Sequence, residues 1–305
     1  MADLQELARY YKVFVPSDNV FQRRARLLQA MWRTEQNFPI GQHHEKPLGS
    51  RLAMPWAEET LSNYLTETIR QVVKAEVVDK TRSKSKLYGR PRIFNDLLSS
   101  QSLCFNLFGE LQQDLALATA VFHTLTNGRV QRVTAIEFEY SPGRGDLKYS
   151  GDRSAFDVYV EFLSDRKARG YIGIEVKYHE NLKDKPATLR PRYHEIAALM
   201  GCYKQECIER LQLQPLQQIW RDHLLAGSVQ YADGFDDGFF VFLYPNENMN
   251  CKEAVLAYRS CLSDDSTFVD WTLEGVCKVI GQHTKNKWIE RFVDRYLNFA
   301  KLAST

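Results

Sequence analysis

The sequence predicts an α/β protein: a central mixed sheet flanked by helices, with an N-terminal helical extension. Residues 154–162 and 170–178 read as consecutive apolar strands joined by a polar turn. Residues 238–245 are apolar throughout, which suits a strand covered on both faces. Around these strands, apolar residues recur at helical spacing. The order is helices, strand, hairpin, helix, strand, helix, strand, helix, which suits one core sheet. The expected division is residues 1–95, a helical extension with a basic loop, and residues 96–305, the core, the two also readable as one continuous domain.

At 305 residues the chain can bury a large core. Apolar residues make up 44% and charged residues 26%, and no apolar run approaches a membrane span. Residues 1–6 carry acids and no apolar segment, so a cytoplasmic location is expected rather than secretion, and no membrane partner. The cysteines lack close pairing and read as reduced, mostly buried thiols. Formal net charge is only +2, so affinity for nucleic acid must come from local basic patches.

Residues 20–34 read as a helix with Phe21, Leu28 and Trp32 near one stripe. Residues 38–51 read as a loop, and 56–78 as a second amphipathic helix. The stretch 80–92 holds six basic residues, Lys80, Arg82, Lys84, Lys86, Arg90 and Arg92, and no acid. It reads as an exposed loop, either a solvated linker or an arm that contacts phosphates. A long helix is expected over 99–126, then a strand over 131–140 in which Glu137 and Glu139 share a face. A Gly-rich loop follows at 141–153 with Arg144, Lys148 and Arg153; it has no phosphate-loop signature. Helices are expected over 193–213, 216–225, 252–262 and 287–302, and a strand over 267–273.

The chemistry concentrates on the two consecutive strands. The first carries Asp157 among apolar residues, and the second carries Glu175 and Lys177, which alternation puts on one side. Buried charges are costly unless they pair or bind metal. Phosphodiester hydrolysis needs neutralised phosphate charge, an aligned water and a stabilised leaving oxygen. Asp157 and Glu175 can supply carboxylates to Mg²⁺, with the Val176 carbonyl as a further ligand. Lys177 can orient or deprotonate water; burial would lower its pKa and the acids would raise it. Glu139 is the candidate third acid, placed at a strand end beside the Gly-rich loop. Ser154 and Tyr178 flank the cluster, and His179 shares the face of Glu175 and Lys177. The bland reading is that Glu-X-Lys triplets are common on solvated strands.

Asp157 followed by Glu175-Val176-Lys177, each after an apolar approach and with a helix after, resembles the PD-(D/E)XK nuclease superfamily. Further segments resemble bacterial restriction-endonuclease-like proteins of the PGN_0703 type. They are Trp32-Arg33 with residues 38–41, Ser99-Ser100-Gln101 with residues 105–108, Glu137-Phe138-Glu139-Tyr140, and Glu175-Val176-Lys177-Tyr178 with Glu180. The resemblance implies a restriction-endonuclease-like core and a Mg²⁺-dependent deoxyribonuclease, with Mn²⁺ able to substitute. It implies Asp157 and Glu175 as metal ligands, Lys177 as the catalytic lysine and Glu139 as an accessory acid. One departure is Phe156, where the family pattern has proline before the aspartate.

Other features carry less. The pair His43-His44 with Glu45 is most simply polar, and the cysteine spacing does not match a cluster-binding set. Trp220, Trp271 and Trp288 read as core residues, and Tyr88 as an aromatic that can stack on a base. The leading expectation is a DNA endonuclease in restriction, defence or repair. The basic residues at 80–92 and in the loops 141–153 and 183–192 would hold phosphates, and cutting both strands would call for a homodimer. The alternatives are a non-catalytic module that binds nucleic acid or a partner on the same fold, and a nuclease for RNA or branched DNA.

Overall fold

The computed structural model describes residues 4–303. They form two compact units, one from residues 4–113 with 280–303, the other from 114–279.

The first unit is mainly helical. Its Val20–Glu35 helix starts at Asn19, whose side chain accepts from the Gln22 N–H (2.8 Å) while Gln22 Oε1 accepts from the Asn19 N–H (3.0 Å). This reciprocal cap satisfies two otherwise orphaned donors. Residues 38–51, expected to be a loop, instead contribute an antiparallel hairpin of β1 (Ile40–His43) and β2 (Lys46–Leu52). Its turn is His44-Glu45, both with left-handed φ (47° and 63°). Two left-handed residues match the twist of a tight hairpin, a role usually marked by Asn-Gly. With neither Asn nor Gly there, the sequence hid the hairpin; of the His-His-Glu run, His43 ends β1 and His44-Glu45 form the turn.

The helix expected over 56–78 is broken into Trp56–Thr60, Glu67–Val73 and a π-helical turn at Lys74–Val78. Thr66 restarts it by accepting from the Ile69 N–H at 3.1 Å. The basic stretch 80–92 is partly ordered, with short helices at Lys80–Ser83 and Arg92–Asn95. The long helix expected over 99–126 is two, Ser100–Gln113 and Leu115–Leu125, because Asp114 leaves the helical conformation and caps the second. Asn106 ties the first unit together: its Nδ2 donates to the Asn63 carbonyl and Tyr296 hydroxyl, and its carbonyl accepts from Trp288 Nε1 (2.7 Å). Trp288 lies on the Trp288–Tyr296 helix, whose Arg295 is fully buried.

The second unit holds a five-stranded mixed sheet. Its strands are β3 (Arg132–Tyr140), β4 (Phe156–Leu163), β5 (Arg169–Val176), β6 (Asp237–Tyr244) and β7 (Phe268–Thr272), side by side in chain order. The first three form an antiparallel meander; β5, β6 and β7 are parallel. Parallel neighbours need long crossovers, supplied after β5 by helices Pro191–Met200 and Gln217–Asp233 and after β6 by Met249–Arg259. This is the restriction-endonuclease-like α/β arrangement the sequence predicted. Helix ends differ from the expected ones where a glycine intervenes: the first crossover helix stops at Gly201, whose φ of 62° favours glycine, and the second runs on to Gly234.

An apolar row crosses the sheet through Phe138, Val158, Ile174, Val241 and Val269. The other face carries Tyr159, Tyr171, Phe240 and Phe242 beneath the crossover helices. All six cysteines are free thiols, five buried and Cys207 half-buried. Among the described residues no helix is long and apolar enough to cross a membrane.

Two tests follow from this core. A Cβ at Gly238 would lie 2.1 Å from the Tyr171 ring, and that ring is pinned by its hydroxyl donating to the Ala226 carbonyl. Gly238→Ala should therefore lower unfolding stability by about 1–3 kcal/mol in urea titrations; an unchanged midpoint would show that the ring can retreat. Burial also lowers the pKa of His223 from 6.5 to about 3. The unfolded chain thus takes up a proton before the folded one does. This residue's stabilisation, complete above pH 6.5, should fall by about 1.4 kcal/mol per pH unit down to roughly pH 3. His223→Asn should flatten that acid limb in urea titrations at stepped pH.

Candidate active site

One residue beyond the apolar row, alternation turns Asp157 on β4 and Glu175 on β5 to the face covered by the crossover helices. Lys177 follows β5 on the same side, its N–H donating to the Leu243 carbonyl at 2.8 Å. The Asp157 Oδ2 accepts from the Val176 N–H at 2.9 Å, which holds that carboxylate against the end of β5. Lys177 Nζ donates to Glu175 Oε1 at 2.5 Å, an ion pair with both side chains about nine-tenths buried. Beside this cluster the rings of Tyr140, Tyr159 and Tyr171 stack in sequence, with centroids 4.0 and 5.8 Å apart.

Two competing effects act on Lys177. Burial alone would discharge the ammonium, but Glu175, Glu180 and Asp157 outweigh it and raise the pKa above the ordinary lysine range. The side chain is therefore a fixed cation that donates hydrogen bonds. Asp157 is pushed well above the usual carboxylate range, first by desolvation and then by the charge of Glu175. Glu139 also contributes to that repulsion. It adopts a left-handed backbone (φ 48°), a conformation that costs about 1–3 kcal/mol outside glycine. Its carboxylate is paired with Arg144 at 2.9 Å.

The Gln217–Asp233 helix adds residues that had not been singled out. Gln218 Nε2 donates to Glu175 Oε1 at 2.8 Å. Asp222, one turn on, is buried with Oδ2 lacking a hydrogen-bond partner. Desolvation and then Glu175 raise its pKa well above the usual range. Glu180, quoted above only as part of a resemblance, is held below that range: burial opposes this, but His179, Lys177 and the Tyr178 N–H prevail. A signal for the helical pair was present. Gln218 and Asp222, four residues apart, share one helix face, and that stripe is otherwise apolar, continuing through Leu225 and Val229.

The flanking loops are held by a second polar cluster. Asp152 accepts from Ser150 Oγ, the Ser154 N–H, Ser154 Oγ and Tyr193 Oη, and Arg221 Nη2 reaches it at 2.8 Å. Arg221 also donates to Ser154 Oγ at 2.7 Å. Ser154, which flanks the cluster in the sequence, is thus a structural partner of Arg221. Arg192 bonds the carbonyls of Lys148 and Tyr149, joining the loops 141–153 and 183–192. Gln217 exchanges two hydrogen bonds with the Ala187 backbone, fastening the second loop to the crossover helix.

The basic candidates fall in both units. In the second unit, Arg144 pairs with Glu139 and Lys148 with Asp233, while Arg153 is exposed. In the first, Lys86 and Arg82 contact Glu76, Arg90 contacts Glu58, and Arg92 contacts Asp96. Lys80 and Lys84 are exposed. Tyr88 is half-buried, its ring 5.9 Å from that of Phe105.

The donor set fits a hard divalent cation. It consists of oxygens, and two carboxylates on adjoining strands repel each other enough to shift Asp157. Among the described residues no three His, Cys, Asp or Glu side chains group into a ready-made metal cage. Mg²⁺ does not need one, because water and substrate phosphate ordinarily complete a shell begun by one or two carboxylates.

A meander, a parallel strand and covering helices, with Asp157 opposite a Glu-Val-Lys triplet, define a nuclease fold of the PD-(D/E)XK class. The chain belongs to the PD-(D/E)XK nuclease superfamily, whose family model matches residues 16–298. Neither a curated protein nor a solved structure matches it at a significant level. Membership implies phosphodiester cleavage and a nucleic-acid substrate.

Removing the buried Asp152 carboxylate would leave the half-buried Arg221 and three hydroxyls unanswered. Asp152→Ala should therefore cost about 3–5 kcal/mol of stability, read by urea unfolding. A loss under about 1 kcal/mol would mean that water replaces the carboxylate easily.

Proposed function

We propose that this protein is a Mg²⁺-dependent DNA endonuclease, with Mn²⁺ able to substitute, acting in the cytoplasm in restriction, defence or repair. The observation that carries the reading is the Asp157–Glu175 pair, on adjoining strands, with the Lys177 ammonium bonded to Glu175. Asp157, Glu175 and the Val176 carbonyl would hold the ion. When bound, it would supply positive charge to the phosphate and to the leaving oxygen.

The remaining work falls to the chain's own side chains. Lys177, held as an ammonium, is suited to orient the attacking water and to donate to a non-bridging phosphate oxygen. Gln218 fixes Glu175 Oε1, so this carboxylate keeps its direction while substrate exchanges. Glu139 is the accessory acid at the mouth of the site. Arg144, Lys148 and Arg153 would meet the strand on one side, and Lys80, Arg82, Lys84, Lys86, Arg90 and Arg92 form a second phosphate-contacting segment. Cutting both strands calls for two copies of the site, hence a homodimer.

Cleavage of plasmid, linear duplex, single-stranded DNA and RNA should be measured in Mg²⁺, Mn²⁺ and EDTA. The expected result is metal-dependent internal cleavage of DNA, reduced about 10²–10⁴-fold in Lys177→Ala and in Asp157→Ala. Turnover unchanged in both variants would sink the site assignment. Binding without cleavage in either metal would identify a non-catalytic module, and preference for RNA would overturn the choice of substrate.

A further inference from the structure

The first unit contains a cavity of about 380 Å³ that the catalytic residues do not touch. Its size lies in the range that binds small ligands. Half-buried Phe38 and the exposed margin of Trp32 line one wall, their rings meeting edge to face at 5.6 Å, with Tyr64 buried behind them. Arg70, Arg291, Glu290 and Asp294 line the same space. Arg70 Nε is buried without a hydrogen-bond partner, although the Nη1 of the same guanidinium reaches Glu67 at 3.4 Å. Arg291 spends one nitrogen on the Leu65 carbonyl at 3.3 Å.

The charge of this cavity is biased. Asp294 is already answered by Lys301 at 2.8 Å and by Asn298. The fully buried Arg295 guanidinium lies 3.9 Å from the centroid of the Trp32 ring and adds positive potential beneath that wall. Arginine donors over aromatic surface, with a carboxylate able to accept from ring N–H or amino groups, match the two halves of a nucleotide. A base packs on aromatic faces, and a phosphate takes the guanidinium fork.

We propose that this cavity is a nucleotide-binding site separate from the catalytic strands. A base would rest against Trp32 and Phe38, its polar edge on Glu290 and its phosphate on Arg70 and Arg291. A free mononucleotide and a single unpaired nucleotide of a strand share this chemistry. The proposal does not rest on the catalytic reading, so it is tested on the full chain carrying Lys177→Ala, in EDTA.

Calorimetric titration with ribo- and deoxynucleoside 5′-monophosphates, nucleosides, inorganic phosphate and short single-stranded oligonucleotides supplies the measurement. Expected is saturable binding of one nucleotide per chain, weakened at least about tenfold in both Arg70→Gln and Arg291→Gln. Nucleoside or phosphate alone should bind more weakly than the joined nucleotide. Tighter binding of the oligonucleotide would identify the strand as the source, and tighter binding of the monophosphate a free nucleotide. Arg291 is exposed, so its variant tests the site even if Arg70→Gln unfolds. No binding by any nucleotide or oligonucleotide, or binding equal in parent and arginine variants, overturns the proposal.

Discussion

The Lys177–Glu175 ion pair at the end of β5 is the interaction on which the site depends. Both side chains are almost fully removed from water, where an isolated charge would cost several kcal/mol. The cost is met by surrounding them. Gln218 donates to Glu175, and the charges of Glu180 and Asp157 act on Lys177. Burial first, and then the charge of Glu175, makes Asp157 and Asp222 hold their protons more tightly than ordinary carboxylates do. The cluster thus holds more buried carboxylates than its one lysine can pair with. Under the proposed function, those surplus carboxylates are what a divalent cation and a phosphate would use.

Placing these groups is the work of sheet register and of what covers the sheet. Alternation along β4 and β5 turns aliphatic side chains to one face and the acids to the other. The parallel partner β6 is apolar on both faces, so β5 is interior, and its polar end must find partners within the protein. The crossover helix supplies them with Gln218 and Asp222. It also carries Arg221, which grips Asp152 and thereby steadies the Gly-rich loop beside Glu139. One helix thus serves the candidate cluster and the loop next to it.

The strands were legible because their patterns are local. The uninterrupted apolar run at 238–245 and the two short stretches around Asp157 and Glu175 needed no distant partner to be recognised. Helix ends and breaks were less legible. Thr66 and Asp114 end or restart helices through single side-chain caps, which a periodicity argument passes over. The β1–β2 hairpin escaped because His44 and Glu45 adopt left-handed φ without being Asn or Gly. The amphipathic Leu273–His283 helix was not foreseen either, following a short strand without a clear separating turn.

By itself the sequence determined the α/β class, the family, and the candidate residues Asp157, Glu175 and Lys177, because strand alternation and residue chemistry are properties of short segments. The tertiary structure decided that acids outweigh desolvation at Lys177, a balance set first by Glu175 and then by charges that arrive from the turn after β5 and from β4. It also decided that Gln218 belongs with Glu175, a partner 43 residues away that only a parallel crossover brings back. Likewise, the return of Trp288 to Asn106 spans 182 residues and leaves no periodic trace in the chain. Contacts of that kind are chosen by packing and by the need to satisfy buried polar groups, and both exist only once the chain has folded.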